Sequence, residues 1–191
     1  MPLSQTVSSG QQNRALGLST FAFTICFAVW TIFAIIGIEI KAELGLNDTQ
    51  FGLLVGTPIL TGSLVRLFLG VWTDQYGGRI VFPLTMLASA ASTMLLSHAV
   101  SYVLMLLAAL GLGLAGGGFA VGVAYVSKWY PQEKQGSALG FFGMGNVGAA
   151  VTKFVAPFVM VALGWQAVAQ IWAMALAITA VTPTVTVAVA W

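Results

Sequence analysis

Residues 49–72 read TQFGLLVGTPILTGSLVRLFLGVW, an apolar run long enough to cross a bilayer, with one permanent cation, Arg66, inside it. Ionisable side chains at membrane depth are costly and usually mark the path of a substrate or ion. Arginine keeps its proton, and its planar fork of donors suits a small oxyanion better than a point charge does. Helical spacing of three and four places Gly52, Gly56, Ile59, Ser63, Arg66 and Gly70 on one stripe. Small residues dominate that stripe, so it is expected to face other helices and to turn the guanidinium into a bundle. The alternative is snorkelling toward the headgroups, because Trp72 lies only about 9 Å further along the helix.

The rest of the chain has the same character. Of its 191 residues, 59% are hydrophobic and 6% charged, with a mean hydropathy of +0.95. Too few charges remain to cover a soluble surface. The net charge of +2 is scattered, which leaves no basic footprint for nucleic acid. One histidine, no spaced Ser/His/Asp set and no Cys/His cluster argue against an enzyme, a metal or a cofactor. Cys26 reads as a small core residue.

Six stretches qualify as spans, at about 16–38, 49–72, 80–98, 101–127, 136–162 and 166–190. The expected fold is all-α: residues 1–15 form a polar tail and 16–191 a six-helix transmembrane bundle. Asn47 or Asp48 can cap the second helix, and Pro131 breaks the fourth from the fifth. Arg14, Arg79, Lys128 and Lys134 fall on one side, against Lys41 on the other. That asymmetry puts the N-terminus in the cytoplasm of a cell (inner) membrane. Residues 182–191 end without a basic or polar tail, and the expectation is a chain cut short or altered there.

Past the Arg66 helix the chain reads Gly70-Val-Trp-Thr-Asp74-Gln-Tyr-Gly77-Gly78-Arg79, which resembles the loop signature of the major facilitator superfamily. Gln75 and Gly78 stand where that signature has basic residues. Gly70 is expected to admit a neighbouring helix, Gly77 and Gly78 to form a tight turn, and Asp74 to pair with a cation or cap a helix. The resemblance implies a gating role for Gly70, Asp74, Gly77 and Arg79. A glycine-rich fourth span running from Gly111 to Gly118-Phe119-Ala120 follows, then Pro131-Gln-Glu-Lys-Gln-Gly136 and Gly143-Met-Gly145-Asn146-Val-Gly148. Together these resemble the nitrate/nitrite porter branch of that superfamily. Its members have twelve spans in two similar halves, and one arginine from each half faces a central nitrate or nitrite site.

The resemblance covers residues 16 to about 180 and implies the N-terminal half of such a fold. Arg66 matches the first-half arginine; Asn146, Gly143, Gly145 and Gly118 are expected to shape the pocket. Asn146 and Lys153 share one helical stripe with Gly143, Ala150 and Pro157. A buried lysine can change protonation, so Lys153 is the candidate for proton coupling. Thr152-Lys153-Phe154 resembles the proton-symport branch, while other members exchange nitrate for nitrite. The implied partners are nitrate or nitrite, protons, the bilayer and a C-terminal half. Two other readings stay open: a major facilitator transporter of another small molecule, and a truncated, non-transporting membrane subunit that needs a partner half.

Smaller features carry less. Glu39 is expected to pair with Lys41 or to admit protons, and His98 to sit at an exposed turn. Phe23, Phe27, Trp30 and Phe33 form an aromatic face for packing or lipid, one or two of which could line a central site. Pro58, Pro157 and Pro183 are expected to bend their helices.

Overall fold

Ser8 opens the first helix, α1 (Ser9–Trp30), through a capping box in which Gln11 N–H donates to Ser8 Oγ and Ser8 N–H to Gln11 Oε1. The computed structural model describes residues 8–181. The helix begins at Ser9 rather than at residue 16, so part of the segment read as a tail is helical. It pauses at Thr31 and Ile32 and resumes as α2 (Phe33–Leu44). A second capping box, Asn47 with Gln50, starts α3 (Asp48–Tyr76), so the cap expected of Asn47 or Asp48 falls to Asn47. After α4 (Gly78–Ser97) come α5 (Tyr102–Leu112) and α6 (Gly118–Trp129), joined by a 3-10 segment, Gly113–Gly117. Past Pro131, α7 (Gln132–Gly143) and α8 (Gly148–Val181) are joined by a second 3-10 segment, Met144–Val147.

Among the described residues, five helical stretches are long and apolar enough to cross a membrane: Ser9–Leu44, Asp48–Tyr76, Gly78–Ser97, Tyr102–Trp129 and Gln132–Val181. The last has 50 residues. At a rise of 1.5 Å per residue it would reach about 75 Å, more than twice the hydrocarbon thickness. It does not run straight, because Gly164 at φ 84° and ψ 167° interrupts it with a backbone conformation that L side chains rarely adopt. The predicted boundary between 162 and 166 falls on that break. Pro58 and Pro157 lie inside helices that continue through them. Pro183 lies outside the described residues.

Glycine sets how closely the helices approach. A Cβ on Gly148 would stand 2.1 Å from the Thr24 carbonyl oxygen, and one on Gly122 would stand 2.1 Å from the Phe142 ring. Backbone therefore meets backbone or ring directly where α8 crosses α1 and where α6 crosses α7. Serine and threonine hydroxyls mostly bond back to their own helices, as Thr73 does to Leu69 O at 2.6 Å and Thr93 to Ser89 O at 2.7 Å.

The packing face of α3 differs from the predicted one. Its buried residues are Leu54, Pro58, Gly62, Leu69 and Thr73. On the predicted stripe, Gly52, Ile59 and Ser63 are exposed, and a Cβ on Gly52, Gly56 or Gly70 would meet nothing within 4 Å. The expectation that this stripe packs within the bundle, and that Gly70 admits a helix, is corrected accordingly. The physical reason is that Gly62 faces Gly113 and Trp30, and the tightest available contact fixes the rotation of the helix.

These contacts set an expected outcome. Gly148→Val should lower thermal stability in detergent by about 1–3 kcal/mol through overpacking. Gly140→Ala, where a Cβ meets nothing within 4 Å, should leave the melting temperature unchanged or raised.

Candidate functional site

Arg66 does not snorkel along α3. Its Nε–H donates to Gly116 O at 3.0 Å, on the 3-10 segment between α5 and α6. The guanidinium carbon lies 5.2 Å from the Trp30 ring centroid and 6.0 Å from that of Phe119. Two aromatic faces and a carbonyl thus hold the cation sideways in the bundle. Its two terminal amino groups have no hydrogen-bond partner among the described residues. They form the free edge of the fork.

The cradle follows from sequence in steps. Gly62 and Gly116 leave the space that the Trp30 indole fills, since a Cβ would come within 2.9 Å of Trp30 Nε1 at Gly62 and within 2.7 Å at Gly116. The indole N–H then anchors on Pro58 O at 3.0 Å, which fixes the ring as a platform for the cation. Phe119 belongs to a cluster with Phe23 and Phe142: Phe23 lies 5.4 Å from Phe119 and stacks on Phe142 at 4.9 Å. Gly145 abuts Phe23, with a would-be Cβ 2.4 Å from the ring. Both 3-10 segments therefore converge on the aromatic face of α1.

The remaining predicted pocket residues separate into two groups. Gly118 is buried, with its would-be Cβ 3.2 Å from Cys26 Sγ, and Gly145 is buried against Phe23. Both are packing positions. Asn146 and Lys153 are exposed, and neither touches Arg66 through a hydrogen bond or ion pair. Asn146 Nδ2 donates locally to Gly143 O at 2.7 Å. Lys153 is directed by its neighbour. Buried Thr152 donates to Ala28 O at 2.7 Å and accepts from Trp172 Nε1 at 2.9 Å, so the next residue must leave that interface. The Gly143, Asn146, Ala150 and Lys153 stripe is open in the same way as that of α3.

At the turn after α3, Gly77 takes φ 82° and Asp74 accepts an ion pair from Lys128 Nζ at 3.1 Å. Gly78 is pressed against Tyr125, and Arg79 is exposed. On the other side of the bundle Lys41 pairs with Asp48 at 2.6 Å rather than with Glu39, which corrects that expectation. Glu43 Oε2 accepts from Trp165 Nε1 at 2.5 Å. Trp30, Phe119 and Gly116 were not legible as partners of Arg66. Trp30 lies in an aromatic series whose members are equivalent by spacing alone, and Phe119 follows a glycine run whose break into a 3-10 turn sequence does not disclose.

Residues 18–191 match the Major Facilitator Superfamily, and the chain belongs to that family. It is a multi-pass membrane protein of a transporter class rather than an enzyme. The chain is 49% identical over 144 residues, 75% of its length, to the Thermus thermophilus protein named "Probable nitrate/nitrite antiporter NarK1", of which 32% is covered. It is 31% identical over 88% of its length to the "Nitrite extrusion protein" of Bacillus subtilis, 42% of which is covered. To the "Probable nitrate transporter NarT" of Staphylococcus carnosus it is 32% identical over 87% of its length, covering 43% of that protein. The chain thus spans a third to two fifths of the length of these relatives. In structure, 91% of it superposes on 42% of a bacterial homologue of the human lysosomal transporter Spinster, in an inward-facing and unoccupied conformation, with a TM-score of 0.79 and 20% identity. That likeness establishes the fold alone.

Replacing Thr152 by valine should leave the Trp172 indole N–H buried and unpaired. The expected loss is about 1–3 kcal/mol of stability, read by thermal unfolding in detergent.

Proposed function

We propose that this chain is the N-terminal six-helix half of a nitrate/nitrite transporter. The helical stretch on either side of Gly164 would supply spans five and six, and the N-terminus would lie in the cytoplasm. One observation carries the reading: Arg66 is held by Trp30, Phe119 and Gly116 O with the outer edge of its fork left unbound. A planar, singly charged oxyanion can accept two parallel hydrogen bonds from that edge. The relatives' names supply the anion.

The open stripes of α3 and of the α7–α8 stretch complete the proposal. A second half seated on them would cover Gly52, Gly56, Asn146 and Lys153 and close the substrate between the halves, with the arginine it contributes opposite Arg66. Asn146, within the Met144–Val147 segment, would present its amide to the anion. Rocking of the halves would give alternating access, with the Gly70, Asp74, Gly77 and Arg79 turn as gate.

The antiporter and extrusion names of the relatives favour exchange of nitrate for nitrite. A proton-coupled reading rests on Lys153, an ammonium on a face that the second half would bury.

Nitrate uptake into vesicles carrying this chain together with the C-terminal half of the Thermus thermophilus relative tests the proposal. Uptake should be competed by nitrite and not by acetate; equal competition by acetate would overturn the substrate. Arg66→Lys should weaken nitrate affinity about tenfold or more, because one charge-assisted bond of the fork is lost. Unchanged affinity would remove Arg66 from the site. Lys153→Gln should shift the pH profile of uptake under proton coupling and leave it unmoved under exchange.

A further inference from the structure

We propose that a cleft at the joint of α3, α4 and α6 binds an anionic phospholipid, its phosphate at Arg79 and an acyl chain in the adjoining groove. Two cavities meet there. A polar cleft of about 550 Å³ is lined by Asp74, Arg79, Tyr125, Lys128 and Trp129 among others. An apolar groove of about 450 Å³, lined by Leu69, Trp72, Ile80, Leu84 and Ala88 among others, runs along α3 and α4. Tyr76 lines both, so the two adjoin. A charged end joined to an apolar slot has the shape of an amphiphile.

Charge decides which amphiphile. Lys128 is neutralised by Asp74 at 3.1 Å, whereas Arg79 makes no ion pair among the described residues. The cleft therefore keeps one uncompensated cation, and it is a guanidinium, whose fork fits a phosphate. The N-terminus of α4 opens into the same place, and no side chain caps it. Trp129 is only 6% exposed, and its indole N–H, beside the Tyr125 side chain, completes no hydrogen bond of full geometry. A buried donor so weakly paired is costly, and an acceptor entering the cleft would satisfy it. Trp72 and Tyr76, both exposed, are the amphipathic rings that settle at a headgroup boundary. The proposal does not depend on which anion Arg66 carries.

The test uses the purified full chain and counts retained lipid by native mass spectrometry after exchange into phosphatidylglycerol or phosphatidylcholine. Phosphatidylglycerol should be retained in preference. Arg79→Gln, an exposed position, should lower its retention about fivefold, the worth of one cation near an anionic surface. Ala88→Trp, which fills the exposed groove, should lower it as well, and Lys134→Gln, outside the cleft, should not. Equal retention of the two lipids, or unchanged retention in Arg79→Gln, would overturn the proposal. So would loss of bound lipid to millimolar inorganic phosphate with no effect of Ala88→Trp, because the cleft would then be a free-phosphate site.

Discussion

The absence of a Cβ at a handful of glycines is the constraint on which this structure depends. Hydrophobic burial does little to hold helices together in lipid, so the helices must gain their contacts by close approach. Gly148 brings α8 onto the backbone of α1, Gly122 receives the Phe142 ring, and Gly62 and Gly116 together receive the Trp30 indole. Each of these contacts leaves no room for a methyl group. The rotation of α3 follows from them, and with it the direction in which Arg66 leaves its helix.

That direction is what turns a costly charge into a usable one. An arginine at this depth could have extended toward headgroups; here its Nε is taken by Gly116 O and its plane is flanked by two rings. The carbonyl and the aromatic faces offset desolvation without consuming the outer edge of the fork. Glycine therefore acts twice: Gly116 makes space for the platform and also supplies the acceptor that orients the cation.

The faces left open are as informative as those that are packed. On α3 and on the α7–α8 stretch, small residues that would suit helix packing stand uncovered beside Arg66, Asn146 and Lys153. Buried positions one step round each helix, such as Gly62 and Thr152, do the internal packing. The bundle thus presents a second, unused set of small residues, which suits a surface that must meet another body and separate from it again.

Composition and periodicity alone determined the class of this protein. So few charges, long apolar stretches and a lone arginine inside one of them leave no other solvent than lipid, and Asn47, Pro131 and Gly164 punctuate the helices through backbone chemistry that is local. The motifs around Gly70–Arg79 and Gly143–Gly148 carried the family, because each binds several residue types to fixed spacing. Tertiary structure alone decided which stripe of each helix is buried, since adjacent stripes of small residues are equivalent by spacing and only the fit against a neighbour separates them. It also decided that Trp30 and Phe119 hold Arg66. Contacts across 36 and 53 residues of chain arise from how helices cross, and no local pattern encodes a crossing.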